Sequence, residues 1–259
     1  MRSYISYDEL EELGETIVRA YIDKTKHYDV YCVDIDGLVT DYLGLTVVYK
    51  TIAEDDPNKI AFLSNGKRPL TIIHEGKKTA TIFPKNTVVI DKFLLSENES
   101  SRRRFTLGHE GAHSVIAKQN PMQDIGCFYN EFDTERNYTL DEQRELLSFS
   151  ESQADRLSSV FLMPRFILQK VMKKYKCENG IPIYGWNVFA PDEKVKLRQM
   201  ADCMGVSYQA LVIRLRTLGL LIPHNLTEYI EKGLQLGGTI WCKQKKYYTI
   251  ADMDTSLRM

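Results

Sequence analysis

Cysteine is sparse in this sequence. The five residues, Cys32, Cys127, Cys177, Cys203 and Cys242, are odd in number and widely spaced, and no Cys-x-x-Cys occurs. That excludes a disulfide framework and a thiolate zinc site. No apolar run approaches the ~18 residues that a membrane-spanning helix needs. An excess of one charge is missing as well. Lys plus Arg is 34 and Asp plus Glu is 35, a net charge of −1. General polyanion binding is excluded, and nucleic-acid contact would require a local patch. The stretch Met1 to Glu12 is acidic and has no apolar core, so it is not expected to act as a secretory signal. Together these features predict a reduced, cytoplasmic protein without membrane association. No internal repeat and no low-complexity segment is present. What remains is ordinary globular composition, 43% hydrophobic and 27% charged over 259 residues, enough for one large domain or two small ones.

Hydrophobic spacing divides the chain. Leu10, Leu13, Ile17, Val18 and Tyr21 recur at helical intervals, which predicts a helix from Asp8 to about Lys26. A short helix over Ile35 to Leu43 is closed by Gly44. The period then changes. The runs 46–49, 60–63, 71–73, 79–83 and 87–90 are β-branched and aromatic. They read as strands joined by tight turns at Asn65-Gly66, Glu75-Gly76 and Pro84-Lys-Asn86. From Ser100 the pattern is helical again, with the uncharged stretch 179–191, holding two Gly and two Pro, read as a loop or domain joint.

The segment that carries chemistry is Ser100-Ser-Arg-Arg-Arg-Phe-Thr-Leu-Gly-His109-Glu110-Gly-Ala-His113. It contains His-Glu-x-x-His, a known metalloprotease signature. Two histidines four apart on a helix stand about 6 Å from each other along its axis, so both imidazoles can reach one Zn²⁺ at about 2.0–2.1 Å. Glu110, turned about 100° from His109, can face a metal-bound water. Ser100 or Ser101 can cap the helix start. Gly108 and Gly111 suit close packing or a substrate. Arg102-Arg-Arg104 reads as a solvated helix face with one structural arginine. A catalytic zinc needs a third protein ligand. Downstream, Thr139-Leu-Asp-Glu142 forms a capping box before an amphipathic run stopped by Pro164. Within that run Glu151 and Asp155 share a helix face. Glu151 can be the third ligand, and Asp155 can accept the second ring N–H of a ligand histidine. His27, His74 and His224 are scattered and read as surface or satisfied histidines.

Arg104-Phe-Thr-Leu-Gly-His-Glu-Gly-Ala-His113, followed by Glu151-Ser-Gln-Ala-Asp-Arg-Leu-Ser-Ser-Val-Phe-Leu-Met-Pro164, resembles the ImmA/IrrE family of metallopeptidases. Residues 33–47 resemble the family's entry helix and first strand, and the similarity spans roughly residues 8–220. Gly111-Ala112 stands where Leu-Gly is usual, and Gly108 where Ala is usual. The interval from His113 to Glu151 is long, with a polar stretch Gln119 to Arg136 that suggests an inserted loop. The resemblance implies a thermolysin-like site with His109, His113 and Glu151 as ligands of one Zn²⁺ (Mn²⁺ being the alternative ion) and Glu110 as general base. It also implies regulatory cleavage of a helix-turn-helix repressor, often of a mobile genetic element or stress regulon. A non-proteolytic, metal-containing regulator that binds a transcription factor or partner is the alternative. Tyr129, Tyr138, Tyr184 and His224 are candidate oxyanion donors, and a strand from the Thr71–Ile90 region could pair with an extended substrate.

Ala201-Asp-Cys-Met-Gly205-Val-Ser207 has a helix-turn-helix cadence. Residues 192–222 hold five basic and three acidic side chains, too little charge for tight DNA binding. Direct DNA binding is therefore not expected, and Arg214 and Arg216 are assigned to packing or substrate docking. The expected fold is α+β: an N-terminal helix and small twisted β-sheet on a helical zinc-metallopeptidase core (residues 1–190), a helix-turn-helix-like segment (191–223) and a C-terminal extension (224–259).

Overall fold

The computed structural model of the protein describes residues 5–56, 59–119 and 140–230, with 140–150 described as helix backbone. The fold is mixed α+β, and the chain forms two compact units, Met1–Glu178 with Leu197–Arg214, and Asn179–Lys196 with Leu215–Met259.

The first unit opens with α1, Tyr7–Thr25. Its start is a capping box: the Glu9 N–H donates to Ser6 Oγ at 3.2 Å, and the Ser6 N–H returns to Glu9 Oε2 at 2.7 Å. Asp8 and Glu9 suit the positive end of the helix dipole. Helix α2, Ile35–Gly37, runs into a π-helical turn at Leu38–Tyr42, and Gly44 (φ +76°) leaves it in the left-handed conformation expected of a helix-ending glycine. Five strands follow: β1 Thr46–Ile52, β2 Ala61–Leu63, β3 Pro69–His74, β4 Lys77–Ile82 and β5 Thr87–Asp91. Their spatial order is β2-β5-β1-β3-β4, with β1 parallel to β5 and the other neighbours antiparallel. The predicted strands all form. Only one predicted turn joins paired neighbours, however: Glu75 (φ +50°) and Gly76 (φ +77°) make the two-residue β3–β4 hairpin. The turns at 65–66 and 84–86 connect strands that are not adjacent: β5 and β1 lie between β2 and β3, and β1 and β3 lie between β5 and β4.

One sheet face carries its own apolar cluster of Phe62, Leu70, Ile72, Phe83 and Val89. Helix α3, Ser100–Gln119, lies against β2 and β5, and α4, Leu140–Leu162, packs on both α3 and α1. Close approach of α1 to α4 depends on Gly14. A Cβ there would stand 2.5 Å from Val160 Cγ1 and 2.9 Å from its Cβ, a β-branched side chain with little freedom to move. We therefore expect Gly14→Ala to destabilise the protein by about 1–3 kcal/mol, despite the gain of about 1 kcal/mol in helix propensity. Urea unfolding of the two proteins checks this.

Helix α5, Arg165–Lys174, follows Pro164. The uncharged stretch 179–191, expected as a loop, contains strand β6, Ile181–Tyr184, which pairs in parallel with β7, Leu221–His224, in the second unit. Pro182 had hidden it. A proline lacks a ladder donor but is tolerated in a two-stranded sheet, where every strand is an edge. Helices α6, Pro191–Met204, and α7, Tyr208–Thr217, are joined by a turn in which Gly205 has φ +65° and Ser207 Oγ accepts the Ala210 N–H at 3.1 Å. Helix α7 stops before Gly219 (φ +68°), so the end of the 191–223 segment is strand and not helix.

Candidate metal centre

Helix α3 is fixed from its N-terminal end. The expected serine cap at Ser100 or Ser101 is not how it begins. A 3₁₀ turn, Glu97–Glu99, feeds into it, and Ser100 is already helical (φ −52°, ψ −49°). The turn leads the backbone into the helix with its own bonds, the Glu99 N–H to Ser96 O at 3.0 Å and the Ser100 N–H to Glu97 O. Two arginines, rather than the one expected, then set the rotation of the helix. Arg103 makes a bidentate pair with Asp36 (2.6 and 2.9 Å) and donates to Tyr49 Oη at 2.9 Å. Arg104 donates to Gly205 O at 2.9 Å and Val33 O at 2.8 Å. Arg102 is left exposed. The two glycines serve close packing. A Cβ on Gly108 would lie 2.8 Å from Ser158 Oγ of α4, and one on Gly111 would lie 3.0 Å from Val39 Cγ2 in the π turn. Ser158 Oγ also donates to Phe105 O at 3.1 Å, which fastens α4 to α3 about one helical turn from His109.

This crossing brings the ligand candidates together. His109 Nε2 lies 2.9 Å from His113 Nε2 and 3.0 Å from Glu151 Oε2, and His113 Nε2 lies 3.4 Å from Glu151 Oε1. The three residues offer donor atoms that all lie within 4.8 Å of one another. Asp155 Oδ1 sits 2.9 Å from His109 Nδ1, so α4 supplies both carboxylates, one turn apart. Glu110 is buried between α3 and β2. Its carboxyl accepts the Leu63 backbone N–H, and its Oε2 has no hydrogen-bond partner among the described residues.

The electrostatics are those of a site short of positive charge. Three carboxyls, Glu110, Glu151 and Asp155, surround two imidazoles. Burial opposes charge on His109, but its bonds to Asp155 and Glu151 hold its pKa up at about 9. Burial likewise works against the Glu151 carboxylate, yet the two histidines hold it well below the usual carboxylate range. Burial pushes the Glu110 carboxyl up, against the pull of His109 and His113. The fit to a metal can be tested on these distances. Donors about 2.0–2.1 Å from a tetrahedral ion are about 3.3 Å apart, close to the 2.9–3.4 Å edges of the trio. A divalent cation would also relieve the charge imbalance and place a polar ligand near the orphaned Glu110 oxygen.

The other expectations divide. His27 and His74 are exposed. Tyr129, Tyr138, the capping box at Thr139 and the polar stretch between residues 120 and 136 lie outside the described residues. Tyr184 and His224 belong to the second unit, where their rings stand 5.4 Å apart and His224 Nδ1 meets Glu228 Oε2 at 2.9 Å. Arg214 is buried, 1% exposed, and pairs with Glu11 of α1. Arg216 is exposed and donates to Trp186 O at 3.3 Å. Two participants were missed. Leu63 contributes only a main-chain N–H, for which a side-chain motif gives no signal. Glu11 lies on the buried stripe of α1 with Leu10, Gly14 and Val18, and its position on that stripe was the available cue.

Among curated proteins, none matches this chain. Residues 93–216, which run from just before α3 almost to the end of α7, match the family model Peptidase_M78, described as the IrrE N-terminal-like domain. That span holds His109, Glu110, His113, Glu151 and Asp155 together, and over it the chain carries a Peptidase_M78, IrrE N-terminal-like domain.

Proposed function

We propose that the chain is a zinc-dependent endopeptidase with a regulatory role, whose substrate is a helix-turn-helix transcriptional repressor. The observation that carries the reading is the convergence of the His109, His113 and Glu151 donors beside a buried glutamate with an unpartnered oxygen. His109, His113 and Glu151 would hold the ion, one per chain. When bound, it supplies Lewis-acid polarisation of the scissile carbonyl and makes a bound water acidic near neutral pH. Glu110 takes the proton of the attacking water on Oε2 and delivers it to the leaving amine. Asp155 accepts the Nδ1–H of His109, which fixes the tautomer with a lone pair on Nε2. Of strands β3, β4 and β5, β3 and β5 are interior and β4 is the far edge; the edge that α3 and Glu110 lie against is β2. Ile60 and Ser64 direct their main-chain bonds to β5; by antiparallel alternation the Ala61 N–H and C=O and the Leu63 C=O face the open side, where an extended substrate could pair, while the Leu63 N–H is held by Glu110.

In this reading residues 1–190 form the peptidase domain, 191–223 a packing or docking segment and 224–259 an extension, and the protein works in the cytoplasm. Its described cysteines, Cys32, Cys177 and Cys203, are free thiols. No helix among the described residues is long and apolar enough to cross a membrane. The test is co-expression with the helix-turn-helix repressor encoded nearest to this gene. Zinc-dependent scission at one bond, abolished by chelation, is the expected result. Binding without scission would favour the regulator reading.

The ligand assignment has its own check. Purified protein is expected to carry about one zinc per chain by elemental analysis. Glu151→Gln should lose most of it, whereas Asp155→Asn, which touches only a ligand's far nitrogen, should weaken zinc affinity about 10–100-fold. Equal retention in both variants would remove Glu151 from the ligand set.

A further inference from the structure

The β3–β4 hairpin lies outside the residues that match the family model, and the mechanism makes no use of it. Strand β4 is the last in the sheet order, opposite the β2 edge. Five of its six residues are exposed. The direction of its free groups follows from its neighbour. Thr71 turns both main-chain groups away from β4: its N–H donates to Glu54 Oε1 at 2.7 Å and its carbonyl accepts the Ala53 N–H at 2.9 Å. The ladder to β4 therefore uses Leu70, Ile72 and His74, opposite Thr81, Thr79 and Lys77. By antiparallel alternation, Lys78, Ala80 and Ile82 hold their N–H and C=O groups toward the open side. Among the described residues that is an unpaired strand edge presenting Lys78, Ala80 and Ile82, with no bulge and no proline, the feature natural sheets usually blunt.

Its side chains define what would fit. Residues 67–85 carry five basic side chains and one acidic one, in a chain whose net charge is −1. Lys77 and Lys78 are both exposed, on opposite faces of the strand, and neither has an ion-pair partner among the described residues. At the other end Ile82 is 58% exposed, on the same face as Lys78 and Ile73, which is 37% exposed. An added strand would thus meet positive charge at the hairpin tip and apolar surface toward its base. Residues 65–82 contain no Phe, Tyr or Trp, which leaves the His74 imidazole as the one ring a base could stack on, and a nucleic acid cannot use a row of alternating amide donors and acceptors. A second copy of β4 fits poorly. Antiparallel pairing about Ala80 sets Lys78 against Ile82, and parallel pairing sets lysine against lysine.

We infer that the outer edge of β4 is a peptide-docking edge, separate from the β2 edge, that takes an extended segment with acidic and apolar residues by strand addition. That the segment belongs to the protein substrate rests on the peptidase reading; the strand addition does not. An alternating segment would place carboxylates on the Lys77 face and an apolar side chain on Ile82, while its main chain pairs with Lys78, Ala80 and Ile82.

The experiment is direct binding to the full chain, in the presence of chelator so that no cleavage occurs. The probe is a fluorescein-labelled octapeptide of alternating Glu and Val. Ala80→Pro removes an outward N–H without touching the β3 ladder, and Lys77→Glu/Lys78→Glu reverses the charge without touching the backbone. Both variants are expected to weaken binding at least tenfold, with unchanged thermal melting. A peptide N-methylated at alternate amides is expected not to bind. Peptide affinity unchanged in Ala80→Pro, or retained by the N-methylated peptide, would overturn strand addition. Should Ala80→Pro prove unfolded, the N-methylated peptide alone decides. Tight binding of a DNA or RNA oligonucleotide, lost in the double charge variant while the peptide fails to bind, would make the hairpin a nucleic-acid patch instead. Concentration-dependent dimers abolished by Ala80→Pro would make it a self-association edge and overturn the proposal. Absence of peptide binding alongside intact zinc-dependent scission would sink this inference and leave the peptidase reading standing. Binding without any scission would do the reverse.

Discussion

Glu110→Gln is expected to reduce the proposed repressor cleavage by about 10²–10⁴-fold, the range general acid–base catalysis typically contributes, while the content of the proposed zinc stays at the wild-type level. The two halves of that result have separate physical causes. Glutamine is nearly isosteric with glutamate and can still accept the Leu63 N–H, so the packing between α3 and β2 is preserved. Glu110 also lies outside the three-residue donor cluster, so the ion keeps its ligands. An amide, however, cannot take a proton from water at neutral pH, and it presents a donor where the carboxyl presents the orphaned Oε2. The variant is further expected to melt at a higher temperature than wild type in chelator. Burial already disfavours the charged form of Glu110, and without the ion nothing on Oε2 compensates it. Elemental analysis together with mass spectrometry of the products reads both quantities. Loss of zinc in Glu110→Gln with retention in Glu151→Gln would mean the ligand and base roles are exchanged.

Arg214→Ala is expected to cost about 3–5 kcal/mol of folding stability, the range for breaking a buried ion pair by removing one partner. Arg214 is 1% exposed and Glu11 is 3% exposed. They form a bidentate pair in which Nη2 donates to Glu11 Oε2 at 2.8 Å, while Nε donates to Met163 O at 3.0 Å and Arg156 Nε stands 3.1 Å from Glu11 Oε1. Truncation would leave the Glu11 carboxylate buried beside Arg156 alone. The double variant Glu11→Leu/Arg214→Met should recover most of the loss, because a well-packed apolar pair removes both charges. The pair also sets a pH dependence. Burial raises the Glu11 pKa, but the Arg214 bond and charge, with Arg156 and Arg165, outweigh it, and the net shift is downward from 4.5. A carboxyl with a depressed folded-state pKa contributes stability that is fully present above its unfolded value and is lost as pH falls through the folded one. Wild type should therefore lose stability below about pH 4.5 more steeply than Glu11→Gln, read from urea midpoints between pH 6 and pH 3. An Arg214→Ala protein as stable as wild type would remove the anchor. The same burial means that Arg214 has no access to a nucleic-acid phosphate.

Local chemistry was legible in advance. The apolar stripe of α1, the glycine that ends the 35–43 helical stretch, all five strands, the Glu75-Gly76 hairpin and the helix bearing His109 and His113 follow from side-chain period and turn residues, which act over a few positions. The i, i+4 spacing of Glu151 and Asp155 likewise put two carboxylates on one helix face. Strand order could not be read. Insertion of β5 between β2 and β1 is decided by which surfaces bury together, and the runs at 60–63 and 87–90 look alike in sequence. For the same reason Leu63, whose contribution is a main-chain N–H, and β6, interrupted by Pro182, carried no periodic signal.

The sequence by itself determined which residues could ligate a metal, because imidazoles and carboxylates at helical spacing are a property of one helix at a time. Only the tertiary structure decided that α3 and α4 cross where His109, His113 and Glu151 meet. That crossing depends on contacts far apart in sequence: Ser158 seated against Gly108, Gly14 letting α1 reach Val160, and Arg103, Arg104 and Arg214 each tied to a partner more than fifty residues away. Such contacts are selected by packing and by satisfying buried charge across the whole unit, and no local pattern encodes them.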